Sequence, residues 1–146
     1  MISVAVEVSR TIAGIEAKMA GVDEAAKQAA QKMAHAVEAE TKTLLGAKRH
    51  SAKTKTPSAP GEPPAQITGT LRASITSTDA ERRGFGDYRA QVGPTVVYGR
   101  VQELGGNTGR TTLPARPYLS TALRNLRDSG ELARIYNTEI AKGLKA

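Results

Sequence analysis

The sequence contains no cysteine and no tryptophan, and aromatic residues make up only 3% of its 146 residues. The missing thiols exclude disulfides, cysteine nucleophiles and cysteine-ligated zinc, and they fit a reducing compartment. Because Phe85 is the only phenylalanine, the core must consist mainly of Val, Ile, Leu and Ala, which bury less area than aromatic side chains. We expect one domain over residues 1–146, marginally stable as a monomer and stabilised by oligomerisation.

Long apolar runs are also missing: none is long enough to cross a membrane, and the start, Met1-Ile2-Ser3-Val4, lacks the pattern of a secretion signal. We therefore expect no membrane partner. Acidic residues are scarce, with 14 Asp and Glu against 21 Lys and Arg. Residues 1–45 carry a net charge of −1 and residues 46–146 carry +8. Such a basic excess favours nucleic acid or an acidic protein partner, or serves solubility alone.

The residue patterns of enzymes are absent from the sequence. His35 and His50 are isolated, without His, Asp or Glu at metal-ligand spacing, and no serine lies in a nucleophile elbow. The glycine-rich stretches 84–86 and 105–109 lack the features of phosphate-binding loops. Glu38 and Glu40 are two residues apart on a predicted helix, so they face different directions. The sequence predicts a non-enzymatic protein with no catalytic residue, cofactor or metal ion.

Two hydrophobic periodicities occupy the first 46 residues. Strict alternation over residues 2–8 predicts a half-buried strand, able to pair within one subunit or between two. A short helical stripe follows: Ile12, Ile15 and Met19. We expect Gly21 to break this stripe and Asp23 to cap a long Ala-rich helix that ends at Gly46.

Residues 46–66 are predicted to form a long, extended and exposed loop. This segment contains four prolines and no acidic residue before Glu62, a composition typical of chain that is mobile on its own. Its basic side chains can contact DNA or an acidic ring, or can simply be solvated: Lys48, Arg49, Lys53 and Lys55.

The remaining elements are short. Thr68 can cap a short helix that runs through Ala73. Residues 75–80 and 88–94 are predicted to form an antiparallel hairpin, and Arg82 and Arg83 at its tip can contact a partner or can simply be solvated. Residues 97–104 fit a helical turn or a strand, and residues 105–109 a flexible loop. Pro117 can open a helix, and a last helix covers about 130–144, within a C-terminal segment 130–146. The fold class is α+β: a small antiparallel sheet packed with a long N-terminal helix and one or two C-terminal helices.

Three sequence blocks resemble the HK-type tail-component family of tailed phages, the lambdoid head–tail joining or tail-completion proteins. The first is Thr68-Gly69-Thr70-Leu71-Arg72-Ala73-Ser74-Ile75, after a Pro-rich approach. The second comprises Val92-Gly93, Tyr98-Gly99 and Glu103-Leu104-Gly105, and the third is Ala115-Arg116-Pro117-Tyr118-Leu119 followed by Ala122-Leu123. The blocks cover about residues 57–126 in the family's order. Gly99 stands where the family usually has Ala, Tyr118 where Phe is common, and Ser120-Thr121 where Arg-Pro often follows.

The resemblance implies a structural protein of the virion neck, assembled in the cytoplasm of a bacterial host. It implies a homo-oligomeric ring, six- or twelve-fold, between the head connector or stopper proteins and the tail tube or tail terminator, with genome DNA passing through the channel. One alternative is a tail terminator that caps tube growth. Another is a small basic nucleic-acid-binding protein, although few aromatic side chains are present for stacking on bases.

The motif residues are candidates for contacts between subunits. Arg116 can clamp a carboxylate on a neighbour, with Glu103 as one candidate partner, or can form an intrachain ion pair that orients the loop before the helix. Gly69 can let Leu71 pack closely, or can simply start a helix. The full set of candidate interface residues is Gly69, Leu71, Arg72, Tyr98, Glu103, Arg116, Pro117 and Tyr118.

Overall fold

The computed structural model describes the backbone of residues 2–54, 58–107 and 109–146, and side chains within these ranges from Ile12 onward. The fold is mixed α+β, as the sequence predicts. The helices of the described residues are α1 (Ile2–Gly46), α2 (Thr70–Ser74), α3 (Gly99–Leu104), α4 (Leu119–Asp128) and α5 (Glu131–Lys145). The strands are β1 (Ile75–Ser77), β2 (Glu81–Gly84), β3 (Asp87–Arg89), β4 (Val92–Pro94), β5 (Gly106–Asn107) and β6 (Thr112–Leu113).

The first element, α1, is a single helix of 45 residues, so the strand predicted for residues 2–8 is wrong. Helix growth is cooperative: each residue added to an existing helix gains a hydrogen bond, whereas a lone strand has no partner to pair with. The same cooperativity continues the helix through Gly21 and Asp23, so the predicted break and the predicted N-cap are also wrong. The predicted end at Gly46 is confirmed.

The strands pair as three antiparallel ladders of two strands each. The predicted hairpin is present, but it is divided between two ladders: β1 pairs with β4, and β2 pairs with β3 across the turn at Phe85-Gly86. Residues 97–104 take the helical alternative, as α3. Part of the loop predicted at 105–109 is β5, which pairs with β6. Thr108 lies outside the described residues.

Two C-terminal helices are present, α4 and α5. The first begins at Leu119, two residues after Pro117, which the sequence predicts as its first residue. The second matches its predicted range closely. Helix α2 also begins one residue later than a cap at Thr68 would place it, at Thr70. The Thr68 hydroxyl accepts a 3.4 Å hydrogen bond from the N–H of Thr70.

Contacts divide the chain into two compact units. Unit 1 comprises Met1–Met33, Asp79–Ala90 and Leu132–Ala146, and unit 2 comprises Ala34–Thr78 and Gln91–Glu131. The single domain predicted over residues 1–146 stays a prediction.

Unit 1 is built on a close approach of α1 and α5. A Cβ atom on Gly21 would lie 2.5 Å from the carbonyl oxygen of Gly143, and a Cβ on Gly143 would lie 2.5 Å from Cβ of Ala25. Gly21 therefore serves helix packing rather than helix termination. The β2–β3 hairpin is fixed to α1 by Asp23, whose carboxylate accepts hydrogen bonds from Gly86 N–H (2.7 Å) and Tyr88 Oη (2.9 Å).

Unit 2 contains the apolar core that supports the motif residues. Leu45 at the end of α1, Ile75 of β1 and Tyr118 before α4 are buried together, and Leu71 packs partly buried against them. The loop between α1 and α2 belongs to this unit, and most of its described residues are exposed, as the sequence predicts; Ser58 is an exception. Ser58 is buried, and its hydroxyl accepts a 2.7 Å hydrogen bond from Ala65 N–H. Residues 55–57 lie outside the described residues.

Candidate functional site

Glu103 of α3 anchors the start of α4. Its carboxylate accepts hydrogen bonds from the backbone N–H of Tyr118 (2.7 Å), Leu119 (2.9 Å) and Ser120 (3.0 Å), and from the Ser120 hydroxyl (2.6 Å). The first N–H groups of a helix have no partner within it, so a carboxylate there satisfies them and complements the helix dipole. Burial acts to raise the pKa of Glu103, but the hydrogen bonds from Ser120 and the three N–H groups outweigh it and lower the pKa.

Arg116 contacts the Pro-rich loop. Its Nε donates a 2.9 Å hydrogen bond to the carbonyl oxygen of Ser58, and its backbone N–H donates a 2.7 Å hydrogen bond to the carbonyl oxygen of Gln102. The structure thus gives Arg116 and Glu103 different partners, rather than the ion pair considered from the sequence. The clamp on a neighbouring subunit stays a prediction.

Tyr118 and Gly99 form a matched pair in the core of unit 2. Tyr118 is fully buried, and its hydroxyl donates a 2.9 Å hydrogen bond to the carbonyl oxygen of Gly99. Burial, followed by the charge of Glu103 and the neighbouring Tyr98, raises the pKa of Tyr118 to about 12. A Cβ on Gly99 would overlap the ring of Pro94 and lie 3.1 Å from Oη of Tyr118. The close approach of Pro94 and Tyr118 therefore gives glycine a steric reason at this position.

At two other motif positions the backbone conformation favours glycine. Gly69 precedes α2 with φ of 81°, and Gly105 follows α3 with φ of 72°, both in the left-handed region that glycine favours. A Cβ on Gly105 would also lie 2.7 Å from the carbonyl oxygen of Leu113. These positions support the simpler interpretation of Gly69 as a glycine that starts a helix.

An exposed apolar surface lies on α3 and the residues next to it. We call it the α3 apolar surface, and its exposed side chains are Ile67 (58%), Val97 (95%), Tyr98 (45%), Val101 (36%) and Leu104 (63%). Such a concentration of exposed apolar side chains is typical of a binding surface. Ile67 and Tyr98 also line a pocket of about 290 Å³, and they therefore connect the surface to the pocket.

The pocket collects several of the residues predicted from the sequence. Its walls include Leu45, Gln102, Gly69, Leu71 and Arg72. In one wall Gln66 has a buried side-chain oxygen with no hydrogen-bond partner among the described residues.

The eight candidate interface residues therefore fall into two groups. Gly69, Leu71, Arg72 and Tyr98 line the pocket, whereas the others belong to the network around the start of α4. Sequence reasoning missed Ile67, Val97, Val101 and Leu104 as residues of the α3 apolar surface. The spacing of Val97, Val101 and Leu104 is that of one helix face, so a helical interpretation of 97–104 would have indicated them.

The predicted basic loop is only partly available for a partner. Lys48 forms a 2.7 Å ion pair with Glu62. Arg49 is exposed and pairs with Gln66 through a backbone β-bridge. Lys53 is exposed, and Lys55 lies outside the described residues. Contact of this loop with DNA or an acidic ring stays a prediction.

Among the described residues, no three His, Asp or Glu side chains form a group able to hold a metal ion. No helix in that part of the chain is long and apolar enough to cross a membrane. No family model, curated protein or solved structure matches the chain.

Proposed function

We propose that the protein is a non-enzymatic structural component of a tailed phage or prophage, a subunit of an oligomeric ring at the head–tail junction. The observation that carries the proposal is the α3 apolar surface with its pocket. Exposed apolar side chains around a pocket favour docking of another protein chain, because aromatic and aliphatic anchors that fill pockets dominate binding energies. The segments bearing this surface are those that resemble the neck-protein family.

The contacts of the motif residues support a structural role. Glu103 caps α4, Arg116 binds the Pro-rich loop, and Tyr118 binds the backbone of α3. Each polar group thus fixes a backbone segment beside the α3 apolar surface. Residues with these contacts keep a binding surface rigid, which lowers the entropy cost of association.

The proposed partners are further copies of the chain in the same ring, the head connector or stopper proteins on one side and the tail tube or terminator on the other. The genome would pass through the channel of the ring. A terminator role uses the same ring architecture, and the phenotype of a gene deletion distinguishes it from a joining role.

Electron microscopy of lysates from a phage lacking this gene tests the proposal, with the gene supplied on a plasmid as the control. A joining or completion protein predicts filled heads beside separate tails of normal length, and overlong tails would instead identify a terminator. Intact infectious particles from the deletion strain would contradict the proposed function, and the nucleic-acid-binding alternative would then be tested by salt-dependent DNA binding.

A further inference from the structure

A second exposed apolar surface lies on α1. Every residue from 12 to 20 is exposed. Three large apolar side chains in this stretch share one helix face at spacings of three and four residues. We call them the arm stripe: Ile12 (51% exposed), Ile15 (55%) and Met19 (47%).

We propose that the arm stripe of one copy docks on the α3 apolar surface of a second copy, with Ile15 at the mouth of the pocket. This inference deepens the proposed function, on which it rests for the ring, by naming the contact that holds neighbouring ring subunits together. The geometry of the stripe is that of a helix laid in a groove, where anchors at i, i+3 and i+7 enter apolar sites. One contact of this kind covers both exposed surfaces.

The charges beside the two surfaces are complementary. Glu16 lies next to Ile15 and is exposed, whereas Lys18 donates a 3.0 Å hydrogen bond to the carbonyl oxygen of Leu144 in its own chain. The pocket wall contributes Arg72, which is exposed and whose Nε donates a 2.9 Å hydrogen bond to the carbonyl oxygen of Lys42. Docking of the arm therefore brings a carboxylate towards a guanidinium, and opposite charges fix the register of an interface.

Pairing of two arm stripes with each other is a less favourable arrangement. Two antiparallel helices that cross at Ile15 would place one Glu16 close to the other, and like charges at an interface oppose association. Such pairing would also leave the α3 apolar surface exposed. A contact between two different surfaces is heterologous, and it forms a closed ring when the rotation between subunits closes.

Sedimentation of purified variants tests the contact. The arm variant is Ile15→Asp, the acceptor variant combines Val97→Asp with Leu104→Asp, and Leu123→Asp on α4 is a matched control at an exposed leucine. We expect the wild-type chain and the control to form oligomers, and each of the other two variants alone to be monomeric. An equimolar mixture of the arm and acceptor variants retains one working contact per pair, so it should give dimers that do not grow further.

Three results would overturn the proposal: a wild-type chain that is monomeric at all concentrations, an acceptor variant that still dimerises through its arms, or a mixture that stays monomeric although circular dichroism shows both variants folded. A charge exchange keeps the test decisive if an aspartate variant does not fold. Glu16→Arg and Arg72→Glu should each weaken self-association by at least about tenfold, and their combination in one chain should restore it.

This experiment and the gene deletion can fail separately. If the mixture forms dimers but particles assemble without the gene, the docking is supported and the neck function is contradicted. Unjoined heads and tails in the deletion strain, together with normal joining by the arm variant, would support the neck function and contradict the docking.

Discussion

Replacing Glu103 by Gln should destabilise the start of α4 more than any other single change of charge in unit 2. The substitution keeps the size of the side chain but replaces one acceptor oxygen by an NH₂ group, which faces N–H donors. It therefore disturbs a cluster of three backbone N–H groups and one hydroxyl. Loss of a helix cap costs about 1 kcal/mol, and hydrogen bonds to charged groups contribute about 1.5–3 kcal/mol, so we expect a loss of about 2 kcal/mol.

The effect should depend on pH in a defined direction. Hydrogen bonds lower the pKa of Glu103 below its ordinary value of 4.5, so the contribution of the ionised carboxylate to stability is fully present above that pH. This contribution is lost as the pH falls through the lowered pKa of the folded state. The difference between the wild-type chain and Glu103→Gln should accordingly be full at pH 7 and shrink progressively below pH 4.5.

Thermal unfolding followed by circular dichroism at several pH values measures this effect. At pH 7 the variant should melt about 6 °C below the wild-type chain, from the usual relation between unfolding free energy and melting temperature. Glu62→Gln is the matched control, because its carboxylate forms an exposed ion pair with Lys48, and such pairs contribute at most about 1 kcal/mol. Equal melting temperatures for Glu103→Gln and the wild-type chain at pH 7 would refute the reasoning.

Gly99→Ala should destabilise the chain by about 2 kcal/mol, because the added Cβ would overlap Pro94. Gly93→Ala is the control and should change the unfolding free energy little, because nothing lies within 4 Å of its added Cβ. Equal denaturation midpoints for the two variants would contradict this reasoning. Asp23→Asn should lower the hydrogen-exchange protection of β2 and β3, since it weakens the bonds that fix the hairpin to α1, and unchanged exchange would show that these bonds are dispensable. Charge reversal in the basic loop should reduce particle assembly, and a normal phage titre would exclude a partner contact for this set: Lys48, Arg49, Lys53 and Lys55.

The elements predicted correctly are those with strong local signals. Two examples are the end of α1 at Gly46 and the turn between β2 and β3, where Gly86 has a φ of 66°, a conformation that glycine favours. The last helix was predicted from its apolar periodicity and is α5. For these elements the local preference and the tertiary structure agree.

The errors arise where contacts distant in sequence decide the outcome. The local sequence around Gly21 predicts a helix break, but the absence of a side chain there lets the backbone of α5 approach at Gly143. The local sequence predicts that Asp23 is an N-cap, but its carboxylate binds the β2–β3 hairpin about sixty residues further along the chain. No local pattern contains these partners.

Only part of the candidate site could be predicted from the sequence, because its remaining contacts also join residues that are distant in sequence. The resemblance indicated Leu71, Arg72 and Tyr98, which the structure brings to one pocket. It also indicated Glu103, but not its role, because the carboxylate caps α4, which begins further along the chain at Leu119. Ile67 could not be assigned to the α3 apolar surface before the loop was placed beside α3.

The most direct test of the account is electron microscopy of phage particles that carry Val97→Asp and Leu104→Asp in this protein. Phage carrying Leu123→Asp should assemble normally and is the reference. If the α3 apolar surface holds the ring at the head–tail junction, the double variant should accumulate filled heads and separate tails although the protein is folded and expressed. Joined, infectious particles in normal number would contradict the central claim.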